Sequence, residues 1–171
     1  MGADTAADCM KHARPTEQHA LLKHFEGTWR AEVKMWMGPG DPHVSTGTMV
    51  NERIHNGLFI RHDYKGDPSD GPFPAFEGGG YFGYNTVDGR WEGVWVDNAI
   101  SLIQSETGHV DDSGKVWTMH SSMTDPGSGT PMTKRSVITI HDDGTHSMEM
   151  FFTPQDSKQE VKGMEIHYTR A

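Results

Sequence analysis

Alternation of apolar and polar residues dominates the chain after Gly27 and restricts the folds it can adopt. In the segment TWRAEVKMWM (28–37), Trp29 and Val33 fall on one side of an extended backbone, and Arg30 and Glu32 fall on the other. This period of two is typical of a β-strand with one apolar face. Similar segments follow as far as residue 170 and predict a protein built mainly of β-strands.

The predicted strands are separated by short breaks rich in Gly, Pro, Asn and Asp. Asn56-Gly57 and Asp88-Gly89 favour tight hairpins, because residues of these types tolerate a positive φ. Nine such breaks after Gly27 predict about ten strands, joined mostly by hairpins. One of the predicted strands is ISLIQSETGHV (100–110).

Ten antiparallel strands leave two unpaired edges unless the sheet closes on itself. We therefore predict an all-β fold, an antiparallel up-and-down β-barrel of about ten strands, with a two-layer sandwich as the competing architecture. Residues 15–171 are predicted to form this single domain, after a flexible tail over residues 1–14. The segment PTEQHALLKHFEG (15–27) predicts one short N-terminal helix that caps an end of the barrel, with Leu21, Leu22 and Phe25 pointing inward.

Gly78, Gly80 and Gly83 have the G-x-G-x-x-G spacing found in loops that bind a dinucleotide pyrophosphate. Such a loop follows a strand and opens a helix whose N-terminal amides face the phosphates. Here the glycines lead into another hairpin, so nucleotide binding is not expected. We expect these glycines to let a strand bend sharply, with Trp91 and Trp95 of the partner strand covering them.

Four stretches of the sequence resemble the domain-of-unknown-function family 1579, namely HALLKHFEGTWRAEVKMW, STGTMVNERIHNGLFIRHDYKG, FEGGGYFGYNTVDGRWEGVWVDN and KGMEIHYTR. The resemblance extends from His19 to Arg170. Its most specific pieces are Gly27-Thr28-Trp29, Gly83-Tyr84-Asn85, Trp95-Val96-Asp97, Met164-Glu165 and Tyr168-Thr169-Arg170. The family is similar to lipocalin-like (calycin) β-barrels, so the resemblance implies that fold and no particular activity.

The composition limits the partners of the chain. A formal net charge of -9 disfavours nucleic acids and anionic membrane surfaces, so neither is expected as a partner. Cys9 is the single cysteine, which excludes an intramolecular disulfide, and the N-terminal residues lack an apolar export segment. We expect a cytoplasmic protein for which a homodimer is a possible assembly.

A closed barrel of this size can enclose a cavity lined by alternate residues of each strand. His62 and Tyr64 share one strand face, and Trp95 and Asp97 share another. Eight residues are predicted to contact a ligand in the cavity, namely His62, Tyr64, Tyr84, Trp95, Asp97, Glu149, Glu165 and His167.

Three functions are compatible with this set. The leading hypothesis is a cavity for a small apolar or amphipathic molecule, because the many aromatic and Met side chains adapt to such ligands. Its competing interpretation is a barrel filled by its own side chains. The first alternative is an enzyme that uses His62, Tyr64, Asp97, Glu149 or Glu165 as general acids or bases, although no motif specifies a reaction.

The second alternative is haem binding through a strand histidine, either His167 or His62. Without a C-x-x-C-H motif such haem would be non-covalent. No metal site is predicted, since HDDGTH (141–146) is interpreted as an ordinary hairpin turn. The leading hypothesis requires no cofactor.

Overall fold

The computed structural model describes residues 10–68 and 75–171. Within these ranges ten β-strands form one closed antiparallel barrel in which each strand pairs with its neighbours in chain order. The strands are β1 (Gly27–Met35), β2 (His43–Ile54), β3 (Phe59–Gly66), β4 (Glu77–Asn85), β5 (Arg90–Asp97), β6 (Gln104–Val110), β7 (Val116–Thr124), β8 (Pro131–Ile140), β9 (Thr145–Pro154) and β10 (Val161–Arg170). Cys9 and most of the predicted tail lie outside the described residues.

The barrel closes where the first strand meets the last. β1 and β10 pair in an antiparallel register that runs from Trp29 opposite Arg170 to Met35 opposite Met164. This pairing removes both sheet edges, which is the reason an antiparallel meander of this length closes. The predicted up-and-down barrel is therefore confirmed, and the sandwich is excluded.

The N-terminal helix is shorter than the predicted range of 15–27. Helix α1 (Glu17–Ala20) continues directly into a 3₁₀ turn (Leu21–His24), and Gly27 then enters β1 with a φ of 120° that favours glycine. At its start, the backbone N–H of Thr16 donates to Nδ1 of His19 over 3.0 Å. The two helical turns close one end of the barrel.

The side chains below this helical cap form a packed core. Leu22 and Phe25 are buried against the inward side chains of five strands. This cluster also contains Ile60, Phe82, Trp91, Trp117, Met119, Ile138 and Ile140. A second buried cluster on β1, β2, β3 and β10 comprises Trp29, Ala31, Val33, Met49, Tyr64, Ile166 and Tyr168. Burial of these apolar surfaces is the main stabilising contribution to the fold.

Two local predictions differ from the structure. The β2–β3 connection is a 3₁₀ turn (His55–Gly57) in which Asn56 has a φ of 59° and Gly57 a φ of 85°, so the positive φ is confirmed but three residues form the turn. The segment 100–103 is a loop, and β6 begins only at Gln104. Asp97 accounts for this loop, because its Oδ1 accepts hydrogen bonds from the backbone N–H groups of Ala99 and Ile100.

At two glycines of β4 the backbone lies so close to neighbouring groups that no side chain fits without a shift. A Cβ at Gly78 would lie 2.5 Å from the Trp95 ring, and one at Gly80 would collide with the carbonyl oxygen of Val94. Trp95 therefore covers a glycine as predicted. Trp91 does not, because it stacks on Phe82 with a centroid distance of 5.1 Å.

Candidate functional site

The two halves of the barrel interior differ in how tightly they are packed. Near the helix the inward side chains are buried, whereas at the opposite end many inward side chains remain partly exposed to solvent. We call this second region the open half. It is lined by Met35, Trp95, Met123, Met132, Met150, Phe152 and Met164, all of which are partly exposed. Among the described residues no helix covers this end of the barrel.

Methionine is the characteristic side chain of the interior. Every methionine carried by a described strand has the inward parity, and those deepest in the barrel, Met49 and Met119, are buried. Cross-strand pairs place Met150 beside Met164 and Met35 beside Met164, so these thioethers form a continuous surface across β9, β10 and β1. Unbranched, polarizable Met side chains adapt to apolar molecules of irregular shape.

His62 lies deep inside the barrel, yet part of the residue remains accessible to solvent. Its Nδ1 lies 2.7 Å from Oδ1 of Asn51, whose Nδ2 donates to the carbonyl oxygen of Phe25 over 2.8 Å. Asn51 must therefore accept from His62, which places the ring proton on Nδ1. Burial lowers the pKa of His62 to about 4, so the imidazole is neutral at pH 7 and its Nε2 can accept a hydrogen bond or bind a metal.

A second interior imidazole, His146 on β9, was not predicted from the sequence. It stacks on Tyr168 with a centroid distance of 4.4 Å and meets Trp29 edge-on at 4.4 Å. Burial lowers the pKa of His146 to about 3, and burial also raises the pKa of Tyr168. The available signal was its alternation with Met148 and Met150, which gives His146 the parity of the apolar residues.

Trp95 and Asp97, both predicted site residues, lie together on the open half at the end of β5. The indole Nε1 of Trp95 donates to Oδ2 of Asp97 over 3.1 Å. Because the other carboxylate oxygen of Asp97 accepts from Ala99 and Ile100, Asp97 holds the Trp95 ring and the following loop in place. Trp95 is partly exposed, and its ring is the apolar surface of this pair that a ligand can contact.

The two predicted tyrosines occupy different levels of the barrel. Tyr64 is buried in the second core cluster, where its ring fills the space beside Gly47, and burial raises its pKa. Tyr84 lies at the capped end, where its ring meets those of Trp91 and His19 at centroid distances of 5.5 and 5.9 Å. Tyr84 is therefore separated from the open half by the packed core.

Glu149, Glu165 and His167 lie on the outer face of the barrel, which corrects the expectation that they line the cavity. The strand period of two decides their direction, because their neighbours Met148, Met150 and Ile166 face inward. Lys162 forms ion pairs with both glutamates, and its Nζ lies 2.8 Å from Oε2 of Glu165. This hydrogen bond lowers the pKa of Glu165.

The outward direction of these glutamates also separates the acid–base groups proposed for an enzyme. His62 and Tyr64 remain inside, Asp97 is used by the loop after β5, and the two glutamates are outside. The structure does not bring them together as one acid–base site.

An interior ion pair between Lys134 on β8 and Glu106 on β6 was also not predicted. The Nζ of Lys134 lies 3.2 Å from Oε2 of Glu106, and the two side chains are 6% and 14% exposed. Ser136 donates to the same Oε2 over 3.2 Å. Gly93 of β5 lies directly opposite Glu106, and a Cβ there would make an ordinary contact with Cγ of Glu106 at 3.4 Å.

Three interior side chains retain unused hydrogen-bonding atoms. Within residues 10–68 and 75–171, the Nε1 atoms of Trp91 and Trp117 and the Nδ1 atom of His146 are buried and have no hydrogen-bond partner. Such atoms are uncommon in folded proteins and are usually satisfied by ordered water or another group. The described part of the chain contains no cluster of three or more potential metal ligands.

Comparisons with known proteins support the fold. Rv2717c from M. tuberculosis has a similar structure, with a TM-score of 0.68 and 13% sequence identity over 91% of this chain and 98% of that chain. The S-type phycobiliprotein lyase CPES from Guillardia theta is also similar, with a TM-score of 0.60 and 10% identity over 95% of this chain and 96% of that chain. No curated protein sequence matches the chain.

The described ranges contain no helix with the length and apolar character needed to cross a membrane. The sequence as a whole matches one family, described as "Protein of unknown function (DUF1579)", over residues 14–170. Because this match includes nearly the whole chain, the protein belongs to the DUF1579 family.

Proposed function

We propose that this protein binds a small apolar or amphipathic molecule in the open half of its barrel. The observation that carries the proposal is the partial exposure of Met123, Met132, Met150 and Met164, which face the interior and yet are not closed off by other side chains. Ligand sites are concave and mainly apolar, with a few polar groups that orient the ligand. The open half has this composition.

A further observation supports the proposal. His62 faces the interior, and its Nε2 has no hydrogen-bond partner among the described residues, so it can serve as one of the polar groups that orient a ligand.

The experiment that tests the proposal combines native mass spectrometry with a dye titration. We expect the purified protein to retain a small molecule, or to bind 1-anilinonaphthalene-8-sulfonate with a stoichiometry of one. Met150→Trp fills the open half and should weaken dye binding at least tenfold. The matched control Val50→Trp adds the same ring on the outer face, where Val50 is 46% exposed, and should leave binding unchanged. No retained molecule and no dye binding, or equal dye binding by all variants, would contradict the proposal.

Haem binding is a second candidate, and His62 is the residue that favours it. Of the two histidines considered, His167 is exposed on the outer face, whereas His62 is interior, neutral at pH 7 and has Nε2 free of any described hydrogen bond. Titration with haemin should then produce a Soret band that His62→Ala abolishes and His167→Ala retains. A band that is unchanged in His62→Ala would exclude this candidate.

An enzymatic role stays the alternative from a different functional class. One solved structure of similar fold is a phycobiliprotein lyase, so an enzyme can have a barrel of this kind. At 10% sequence identity, this similarity assigns no reaction to the present protein. The cytoplasmic location stays a prediction that rests on the single cysteine.

A further inference from the structure

Some hydrogen-bonding atoms of the Lys134–Glu106 ion pair have no partner among the described residues. An ammonium has three donors, and Lys134 directs them within reach of Oε2 of Glu106 at 3.2 Å and Oε1 of Gln104 at 3.4 Å. A carboxylate accepts on both oxygens, and Oε1 of Glu106 has no hydrogen bond among the described residues. A remaining N–H of the Lys134 ammonium can therefore donate to a ligand, and Oε1 of Glu106 beside it can accept a hydrogen bond.

The pair lies beside the apolar surface of the open half. Register places Lys134 opposite Phe152 and Ser136 opposite Met150, so both polar residues share the inward face with these apolar neighbours. The Cβ atoms of directly opposing residues in antiparallel strands lie about 4.5–5.5 Å apart. A molecule with an apolar chain against Met150 and Phe152 would thus place its end near the ion pair.

The barrel wall is incomplete next to the pair. β6 pairs with β7 only from Thr107 to Val110, and the first part of β6 is bonded to β5 alone. An open groove of about 460 Å³ lies on the outer surface at this gap, and Glu106 and Ser121 line it together with Ser105 and His120. Glu106 of the ion pair therefore lies at this incomplete part of the wall and outside the packed core.

We propose that the Lys134–Glu106 pair selects a neutral head group that both donates and accepts a hydrogen bond, such as a hydroxyl or a primary amide. This inference rests on the proposed function, because the head group belongs to the apolar ligand of the open half. The pair has no net charge, so an anion attracted by Lys134 is repelled by Glu106, and an ammonium group suffers the reverse. The free-energy cost of removing a charged head group from water is then not offset by an unpaired charge of opposite sign.

The test uses four ligands with the same decyl chain, namely decan-1-ol, decanamide, decanoate and decylamine, titrated calorimetrically at pH 7.5. We expect the alcohol and the amide to bind at least tenfold more tightly than the two ions. Glu106→Gln leaves Lys134 without its counter-charge and should shift the preference at least tenfold towards decanoate. Glu52→Gln makes the same charge change in an exposed ion pair with Arg61 and should leave the order unaltered.

The outcomes separate the two proposals. Equal affinity for all four compounds, or tighter binding of an ion by the wild type, would overturn the head-group inference and leave the apolar site intact. No binding of any decyl compound would overturn both. The wild-type ranking can overturn the head-group inference even where Glu106→Gln does not fold.

Discussion

The Nζ atom of Lys134 lies 3.2 Å from Oε2 of Glu106, although the two residues belong to strands that do not pair with each other. Strand β7 lies between them and places Ser121 directly opposite Lys134. A serine side chain is short enough for the lysine to extend over it towards β6. The ion pair therefore links β6 to β8 across β7 on the inner face, beside the place where β6 and β7 separate.

Removal of one partner of this ion pair should destabilise the fold. Lys134→Met leaves the largely buried carboxylate of Glu106 without its counter-charge, and we expect the free energy of unfolding to fall by about 3 kcal/mol. The double variant Lys134→Met/Glu106→Leu should recover most of this loss, because apolar residues of similar volume can replace a buried ion pair. Urea denaturation measures both values.

The exposed pair of Arg61 and Glu52 supplies the control for this measurement. Its side chains are 54% and 57% exposed, so Glu52→Gln should change the free energy of unfolding by less than about 1 kcal/mol. A Lys134→Met variant as stable as Glu52→Gln would show that the interior pair is solvated and contributes little.

The contact between Gly78 and Trp95 gives a second prediction. Gly78→Ala would place Cβ 2.5 Å from the Trp95 ring, so the ring must move and we expect a loss of about 1–3 kcal/mol in stability. Gly38→Ala is the matched control, because a Cβ at Gly38 meets nothing within 4 Å. Tryptophan fluorescence with urea denaturation follows both effects, and equal stability of the two variants would contradict the described packing.

The closed barrel could be predicted because the sequence patterns that specify it lie within short segments of the chain. Period-two segments such as 28–37 fix strands, turn dipeptides fix hairpins, and the cost of unpaired edges then favours closure. The same reasoning was wrong about the inward face of β9 and β10, where Glu149, Glu165 and His167 were expected to line the cavity. Met148 and Met150 flank Glu149. If the face of β9 that carries these methionines had been taken as the inner face, Glu149 would have been placed correctly on the outer face.

The interior polar groups were harder to predict because their partners are distant in sequence. Lys134 shares parity with Ile138 and Ile140, which signals burial, but its partner Glu106 becomes apparent only from the register of three strands. The glutamates of the outer face pair with Lys162, and this pairing likewise depends on strand register. Local sequence patterns predict strands and turns. Ion pairs between distant strands cannot be predicted until the register of the closed barrel is known.

The pH dependence of stability should reveal the buried imidazole of His146. Its pKa falls from 6.5 to about 3 on folding because burial disfavours the charged ring. Between these values the unfolded chain binds the extra proton, so the free energy of unfolding decreases as the pH falls below 6.5. Removing His146 should make this slope shallower by up to about 1.4 kcal/mol per pH unit.

Urea denaturation of His146→Phe and of the wild type between pH 7 and pH 5 measures this difference in slope. His109→Phe is the control, because His109 is exposed on β6 and hydrated in both the folded and the unfolded state. Identical slopes for wild type and His146→Phe would mean that the interior imidazole gains its proton as readily as a free one.

The assignment of residues to the two faces of the barrel predicts which variants change ligand binding. Trp95→Ala removes a partly exposed ring from the open half, and we expect at least a fivefold loss in affinity for 1-anilinonaphthalene-8-sulfonate. Glu165→Gln and His167→Ala alter only the outer face and should leave this affinity within a factor of two. Fluorescence titration at pH 7.5 compares the three variants with the wild type. A loss in His167→Ala that equals the loss in Trp95→Ala would place the dye on the outer surface, and the open half would then not be the binding site.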